Sequence, residues 1–376
     1  MRLLVVLVAL LATVAAHAQA PAAPVLSARA WLLLDYSSGQ VLAAQEGDAR
    51  LEPASLTKVM TTYLVAEALQ QQRISPQQQV TVSERAWRTQ GSRSFVPVNQ
   101  GVAVEDLFKG MVIQSGNDAS VALAEAIAGS EDVFAATMNR TAQRLGLKDT
   151  NFLNASGYFE GPAPNHYSTA RDLAKLAAAL IRDHPEAHAL HAMKEYTYAG
   201  IRQHNRNRLL WADPSVDGLK TGHSSAAGFC LIATAKRGPR RLVSVVLGAA
   251  SEEARARDSL NLLNWGFTAF DAVKLYDKGR AISQLRVFKG KQNAVGAGFT
   301  DDFVVSVPRG GADKVTVQLV SRQPLVAPVA AGAQVATLKL AVAGQAWGDY
   351  PVMALEEVPV AGLFGRMWDE IRLFFQ

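Results

Sequence analysis

A serine and a lysine lie three residues apart in Ser55-Leu56-Thr57-Lys58, where apolar residues begin to recur at helical spacing. On a helix this spacing places the two side chains on one face, one turn apart. A neutral lysine amine can take the proton of a serine hydroxyl and make it nucleophilic, provided that burial and nearby positive charge lower the lysine pKa. One Ser-x-x-Lys is expected about once by chance in a chain of this length. An N-cap serine followed by a solvated lysine is therefore the alternative.

A hydroxyl and an amide flank a glycine in Ser115-Gly116-Asn117, between two predicted helices. The glycine permits a tight turn that leaves both polar side chains pointing from a loop. A serine there could relay a proton, and the amide could hold a peptide group of a substrate. The same three residues would also make an ordinary turn without chemistry.

A third polar cluster, Lys220-Thr221-Gly222, is predicted to lie in an edge strand that precedes the strand Gly228 to Ala235. The lysine amine and the threonine hydroxyl can bind a carboxylate together. The glycine would let a substrate backbone approach the strand closely. The alternative is an ordinary exposed strand with a charged edge.

The elements that position these motifs are strands at both ends of a long segment, with helices between them. Ala30 to Leu34 and Gln40 to Ala44 predict a hairpin, and a second antiparallel pair is expected over Leu231 to Ala235 and Leu242 to Gly248. Helices are predicted over Leu56 to Leu69, Val104 to Ile113, Ala119 to Ile127, Glu131 to Leu145 and Thr169 to Arg182. Ser130 and Ser168 are the expected N-caps of the last two helices. This order predicts an α+β domain over residues 19–273, whose antiparallel sheet is completed by distant parts of the chain.

Beyond this domain, short alternating strands separated by glycine and proline predict a small all-β domain over residues 274–360. Its strands are expected over Phe303 to Val307, Lys314 to Val320, Val335 to Leu340 and Val352 to Leu355. Residues 361–376 are different, because their large apolar side chains fall on one helical face and their charges on the other. This amphipathic helix is too short to span a bilayer and is expected to lie in the membrane interface. Docking on its own domain is the alternative.

The N-terminal residues have the pattern of a signal peptide. Arg2 precedes the apolar run Leu3 to Val14, which is too short to span a bilayer as an ordinary helix. The small residues in Ala16-His17-Ala18 suit a signal peptidase, so we expect cleavage after Ala18, removal of residues 1–18 and export of the mature chain.

Charge and cysteine content exclude several classes of function. The formal net charge is +5, but the basic residues are scattered and form no cluster interleaved with aromatic residues, so nucleic acid is not an expected partner. Cys230 is the only cysteine, which excludes an intrachain disulfide, a cysteine-rich metal site and a paired redox motif. Its strand-like surroundings predict a small buried hydrophobic residue.

Together and in this order, the three motifs resemble the active-site signature of penicillin-binding proteins and serine β-lactamases. Each three-residue match is expected by chance in roughly one chain in ten, so their ordered occurrence is far more specific than any one of them. Longer segments resemble low-molecular-mass D-alanyl-D-alanine carboxypeptidases in particular: Pro53-Ala54-Ser55-Leu56-Thr57-Lys58, Gln114-Ser115-Gly116-Asn117-Asp118-Ala119, Asn205-Arg206-Asn207, Asp217-Gly218-Leu219-Lys220-Thr221-Gly222-His223 and Trp265-Gly266-Phe267. The small β domain and the closing helix match that family's layout, so the likeness covers nearly all of the mature chain.

The resemblance implies a penicillin-binding/β-lactamase-like fold and a serine enzyme that removes the terminal D-alanine from peptidoglycan stem pentapeptides. Ser55 would be the nucleophile and Lys58 its general base. Ser115 would pass the proton towards the leaving amine, and Asn117 would orient the peptide. β-Lactam antibiotics would acylate the same serine. No metal or organic cofactor is implied.

The remaining implied roles concern binding of the substrate. Lys220 and Thr221, in the strand with Gly222, would bind the terminal carboxylate, and Arg255 would add a second positive charge. The backbone N–H groups of Ser55 and His223 would form the oxyanion hole. Asn205 and Arg206 could brace the strand that carries Lys220. With the signal peptide and the interfacial helix, this implies a peripheral enzyme on the periplasmic face of the inner membrane.

Three other functions use similar residues. A class A β-lactamase would place Glu in Glu-x-x-Leu-Asn between the second and third motifs, whereas Thr150-Asn151-Phe152-Leu153-Asn154 has Thr at that position. A non-catalytic envelope module that binds penicillin or peptide is disfavoured by the three intact motifs. D,D-endopeptidase side activity remains open because it uses the same machinery.

Overall fold

The computed structural model describes residues 22–362 and Asp369. These residues form two compact units, one over Ala22–Ala272 and one from Val273 onward. The predicted signal peptide and nearly all of the predicted C-terminal helix lie outside the described residues. None of the helices in the described part of the chain combines the length and the apolar character needed to cross a bilayer.

The first unit is built around one antiparallel sheet. Its described strands are β1 (Ala30–Asp35), β2 (Val41–Gln45), β3 (Gln79–Thr81), β4 (Gly101–Ala103), β5 (Glu195–Tyr198), β6 (Ile201–His204), β7 (Val216–Ser224), β8 (Gly228–Arg237) and β9 (Arg240–Ala249). Five of them form the main sheet in the order β2-β1-β9-β8-β7, and β3-β4 and β5-β6 form separate pairs. The N-terminal hairpin thus adds to the C-terminal strands through the β1–β9 pairing. The α+β prediction and both predicted strand pairs are confirmed.

Helices lie on both faces of this sheet, and others pack on those helices. They are α1 (Lys58–Gln70), α2 (Glu84–Arg88), α3 (Val104–Lys109), α4 (Asn117–Ala128), α5 (Glu131–Arg144), α6 (Ala170–Asp183), α7 (Pro185–Leu190), α8 (Leu209–Ala212) and α9 (Glu252–Ala269). Alternate residues of β1 point to opposite faces. Leu32 therefore joins the core that contains α1, α4 and α6, while Leu33 joins the core that contains α9. Burial on both faces explains why β1 is a continuous apolar run.

The N-cap predictions gave one success and one error. The Ser130 hydroxyl accepts the Val133 amide at 3.3 Å and caps α5, as predicted. Ser168 does not cap α6, because Thr169 accepts the Asp172 amide at 3.0 Å. The Ser168 hydroxyl is instead paired with Thr150 Oγ1 at 2.8 Å. The long helix α9 was not predicted.

The second unit is all-β, as predicted. Its strands are β10 (Phe270–Tyr276), β11 (Ala281–Phe288), β12 (Ala294–Gly298), β13 (Phe303–Pro308), β14 (Val315–Ser321), β15 (Leu325–Val326), β16 (Gln334–Val342) and β17 (Gln345–Ala354). Six of the described strands form a sheet in the order β14-β16-β17-β12-β11-β15, and β10 pairs with β13. The last strand begins earlier than predicted, because Ala343 and Gly344 have φ of 49° and 80° and make a tight hairpin turn.

Candidate active site

The first motif lies where the chain enters α1. Residues Ala54–Thr57 form a 3₁₀ turn that presents Ser55, and Lys58 begins the helix. The spacing brings the two side chains together as predicted, with Lys58 Nζ 3.0 Å from Ser55 Oγ. Lys58 is completely buried, which excludes the alternative of a solvated lysine.

The Lys58 amine has two further partners. It lies 2.7 Å from Asn117 Oδ1 and 2.8 Å from the carbonyl oxygen of Ser156. Burial lowers the pKa of Lys58 well below its usual range, and the positive charges of Lys220 and Arg206 lower it further. A neutral amine can donate to Asn117 and Ser156 while its lone pair points to Ser55. The geometry therefore suits removal of the serine proton.

The second motif follows a local irregularity in the helix. Residues Gly110–Gln114 form a π turn that ends at Ser115, whose φ of 67° is in the left-handed region. Such backbone conformations are found often at functional sites. Within the described part of the chain, the buried Ser115 Oγ has no hydrogen-bond partner. It lines the same cleft as Ser55 and is free to bond a bound molecule.

Asn117 and its neighbour fix the loop over this motif. Asn117 Nδ2 donates to the carbonyl oxygen of Gln90 at 2.6 Å. The buried Asp118 carboxylate accepts the amides of Ser94 and Phe95 at 2.8 and 3.0 Å. The sequence motif contains Asp118, but nothing in its spacing indicates that it anchors a loop from another part of the chain.

The third motif lies in β7, at the edge of the sheet. Lys220 is 3% exposed, which excludes the alternative of an exposed charged edge. Burial lowers the pKa of Lys220 to about 7, with further contributions from the positive charges of Arg206 and Arg255. A carboxylate bound nearby would offset these effects and favour the charged lysine.

Gly222 has a packing role that the sequence did not reveal. A Cβ at this position would lie 2.9 Å from the carbonyl oxygen of Pro53 and 3.3 Å from the amide nitrogen of Leu56. The glycine therefore allows β7 to pack against the 3₁₀ turn that carries the nucleophile. Gly222 also lines the cleft, so its predicted role in admitting a substrate backbone stays a prediction.

Two arginines add positive charge beside β7. Arg255 is buried, and its Nη1 donates to the carbonyl oxygen of Gly222 at 3.1 Å. Arg206 lines the cleft and lowers the pKa of both buried lysines. The sequence predicts a bracing role for Arg206, and the neighbouring Asn207 braces β7, because its Nδ2 donates to the carbonyl oxygen of Gly218 at 2.9 Å.

These groups surround one cleft of about 730 Å³ in the first unit. Its lining includes seven residues predicted for the site: Ser55, Ser115, Asn117, Thr221, Gly222, His223 and Arg255. The His223 ring packs on Phe229, with ring centroids 4.0 Å apart. Lys58 and Lys220 are buried beside this lining. The structure thus brings all nine predicted residues to one place.

The sequence motifs did not reveal the loop that completes the site. Ser156 accepts from Lys58, and Gly157 packs so closely that a Cβ would lie 2.0 Å from the Ala54 carbonyl oxygen. Glu131, itself buried, accepts the Ala155 amide at 3.0 Å and holds this loop. Ser-Gly is an ordinary turn pair, so the sequence contained no signal for this contact.

Comparisons with known proteins show which family this chain resembles. A family model described as D-alanyl-D-alanine carboxypeptidase matches residues 17–251, and one described as penicillin-binding protein 5, C-terminal domain, matches residues 270–360. The chain is 42% identical to D-alanyl-D-alanine carboxypeptidase DacC of Escherichia coli, over 96% of this chain and 92% of that protein. Penicillin-binding protein 5 from Haemophilus influenzae has a similar structure, with a TM-score of 0.84, 39% identity and coverage of 90% and 99%. Penicillin-binding protein D2 from Listeria monocytogenes, solved in the ampicillin-bound form, has a TM-score of 0.60 and is 33% identical, with coverage of 66% of this chain and 100% of that chain.

Proposed function

The chain belongs to the D-alanyl-D-alanine carboxypeptidase family, and we propose that its activity proceeds through an acyl-enzyme on Ser55. It is a serine-type carboxypeptidase that acts on peptidoglycan peptides ending in D-Ala-D-Ala and binds β-lactams. The observation that supports Ser55 and Lys58 as the reacting pair is the 3.0 Å contact between Lys58 Nζ and Ser55 Oγ.

In the acylation step, neutral Lys58 takes the hydroxyl proton of Ser55. The serine oxygen attacks the carbonyl carbon of the penultimate D-alanine, and the bond from that carbon to the nitrogen of the terminal D-alanine breaks. Protonated Lys58 returns its proton to Ser115 as the Ser115 hydroxyl gives its own proton to the leaving nitrogen, which departs as the amine of free D-alanine. Water then attacks the ester, releases the shortened peptide and regenerates Ser55.

The other residues bind and orient the substrate. Lys220, Thr221 and Arg255 bind the terminal carboxylate, and their clustered positive charge supports this assignment. Asn117 orients the peptide. The backbone N–H groups of Ser55 and His223 stabilise the developing oxyanion, a contribution of about 3 kcal/mol for each such donor.

Intact mass measured over time with penicillin tests the nucleophile. We expect a persistent adduct on the Ser55 peptide of the wild-type protein and neither adduct nor D-alanine release from a folded Ser55→Ala variant. A covalent adduct on that variant would overturn the assignment. Rapid penicillin turnover with little adduct would indicate a β-lactamase. The position where such an enzyme would have Glu is occupied by Thr150, whose hydroxyl donates a hydrogen bond to Asp172 Oδ2 at 2.9 Å. This residue disfavours the β-lactamase alternative.

The destination of the protein is a second part of the proposal. Residues 1–18 act as a signal peptide, 19–273 form the enzyme domain and 274–360 the β domain. Residues 361–376 hold the exported protein peripherally on the periplasmic face of the inner membrane. The apolar stripe that includes Phe364, Trp368 and Phe375 supports this role. Deletion of residues 363–376 should move the enzyme to the soluble fraction, and unchanged sedimentation with membranes would refute the anchor.

A further inference from the structure

His166 is a buried side chain that joins the turn carrying the nucleophile to a second loop. It is 1% exposed, with Nε2 2.8 Å from Thr57 Oγ1 and Nδ1 2.9 Å from the amide nitrogen of Leu153. An amide only donates, so Nδ1 is the acceptor and the ring proton lies on Nε2. Nε2 therefore donates to Thr57, whose hydroxyl donates to the carbonyl oxygen of Ala54 at 2.8 Å. The donor and the acceptor of each of these three hydrogen bonds are therefore fixed.

The two segments joined by His166 both contact Lys58. Thr57 belongs to the 3₁₀ turn that carries Ser55. Leu153 lies three residues before Ser156, whose carbonyl oxygen accepts from Lys58 Nζ at 2.8 Å. A Cβ on Gly157 would lie 2.5 Å from Thr57 Oγ1, so the loop over residues 153–157 packs directly on the turn.

The surroundings of His166 suit a fixed neutral ring. The rings of Phe152 and Phe159 lie near it, with centroids 5.8 and 5.0 Å away. Burial lowers the pKa of His166 to about 4, so the neutral tautomer persists at neutral pH. His166 is not part of the cleft lining, and its effects must be transmitted through Thr57 and the loop.

We propose that His166 is a positioning residue, whose two hydrogen bonds hold the nucleophile's turn and the 153–157 loop at the separation that places Lys58 Nζ against Ser55 Oγ. This inference rests on the proposed roles of Ser55 and Lys58. Loss of the bridge should slow acylation and leave non-covalent binding nearly unchanged, because the proposed carboxylate-binding residues lie on β7 and α9. Misplacement of a reacting group by about 1 Å can cost a hundredfold in rate.

The test measures penicillin acylation of the full mature protein by rapid mixing, which separates the acylation rate constant from the preceding dissociation constant. His166→Leu should lower the rate constant roughly tenfold to a hundredfold and change the dissociation constant less than about threefold. His166→Gln should recover most of the rate, because its amide has an acceptor oxygen and a donor nitrogen at a similar separation. An equal loss in both variants, or a loss confined to binding, would overturn the proposal.

Two further variants separate positioning from stability. His184→Leu removes another buried histidine, whose ring packs edge-on against Tyr63 with a distance of 4.6 Å between the ring centroids. His184 makes no hydrogen bond to Thr57 or to the 153–157 loop, so this variant should leave the rate constant unchanged. Thr57→Val removes the hydroxyl through which His166 acts while keeping the side chain's shape. The double variant Thr57→Val/His166→Leu should then be little slower than either single variant.

The outcomes of these controls are distinct. Additive losses in the double variant, or equal slowing by His184→Leu, would show that His166 only stabilises the fold. Thr57→Val also provides the test if His166→Leu fails to fold, since an undiminished rate would refute the bridge. Absence of any Ser55 adduct in the wild-type protein would instead refute the proposed function on which this inference rests.

Discussion

Gly222 packs against Pro53 so closely that a Cβ on the glycine would lie 2.9 Å from the proline carbonyl oxygen. Gly222→Ala should therefore push β7 away from the turn that carries Ser55, and we expect at least about a tenfold lower acylation rate by penicillin. Gly161→Ala is the matched control, because nothing lies within 4 Å of a Cβ there. Equal acylation rates in the two variants would show that the turn and the strand can move apart without slowing acylation.

Arg206 should contribute to the pH at which the nucleophile becomes active. Burial is the main cause of the lowered pKa of Lys58, and the positive charges of Lys220 and then Arg206 lower it further. Arg206→Gln removes this repulsion, so the pKa of Lys58 should rise. Acylation requires neutral Lys58, and the acidic limb of its pH profile should therefore move to higher pH.

The pH profile of penicillin acylation measures this shift. The control is Arg202→Gln, which makes the same change of charge at an exposed residue paired with Glu195. That variant should keep the wild-type profile. A profile for Arg206→Gln that coincides with the wild type, or moves to lower pH, would contradict the electrostatic account.

The sequence allowed prediction of the parts of the site that are local in the chain. Ser55 and Lys58 are one helical turn apart, so their spacing alone brings them together. Contacts between distant segments were not predictable in this way. Lys58 meets Ser156 across 98 residues, and Thr57 meets His166 across 109. Their positions depend on the packing of the whole first unit.

The errors in the fold prediction have similarly specific causes. Ser168 and Thr169 are both good N-caps by residue type. Ser168 forms an antiparallel bridge with Leu51, and this pairing leaves Thr169 as the N-cap of α6. Helix α9 was missed because its sequence alternates charged and small residues in its first half, and burial against the sheet supplies the missing stability. The all-β unit was predictable because its strands alternate and are separated by glycine and proline.

Buried histidines should make the fold sensitive to acid. Burial lowers the pKa of His166 and His188 to about 4 and that of His191 to about 3. In the unfolded chain these pKa values are about 6.5, so below that pH the unfolded state binds more protons than the folded state. These histidines should not change the free energy of unfolding above about pH 7. As the pH drops from 6.5 towards 4, the free energy of unfolding should fall by about 1.4 kcal/mol per pH unit for each histidine.

Denaturant unfolding at several pH values checks this slope. His191→Asn keeps a donor near the Leu219 carbonyl oxygen, which His191 Nδ1 contacts at 2.7 Å, but it cannot titrate. The slope of the free energy of unfolding against pH should therefore decrease by the contribution of about one proton. His204→Asn, at an exposed position, should leave the slope unchanged. A slope that is the same in the wild type and His191→Asn would show that other groups cause the acid sensitivity.

A buried ion pair between Arg240 and Asp35 ties the N-terminal hairpin to the C-terminal strands of the first unit. Arg240 Nε lies 2.7 Å from Asp35 Oδ2, and the two side chains are 9% and 0% exposed. Arg240→Met removes a buried cation from beside this carboxylate and should lower the free energy of unfolding by about 3–5 kcal/mol, measured by denaturant titration. Arg50→Met breaks an equally short pair with Asp149 whose side chains are 57% and 41% exposed, and it should cost much less, because exposed ion pairs are screened by water. Similar small losses in both variants would mean that Asp35 protonates or is hydrated when Arg240 is removed, because the larger cost requires a carboxylate that stays buried and ionised.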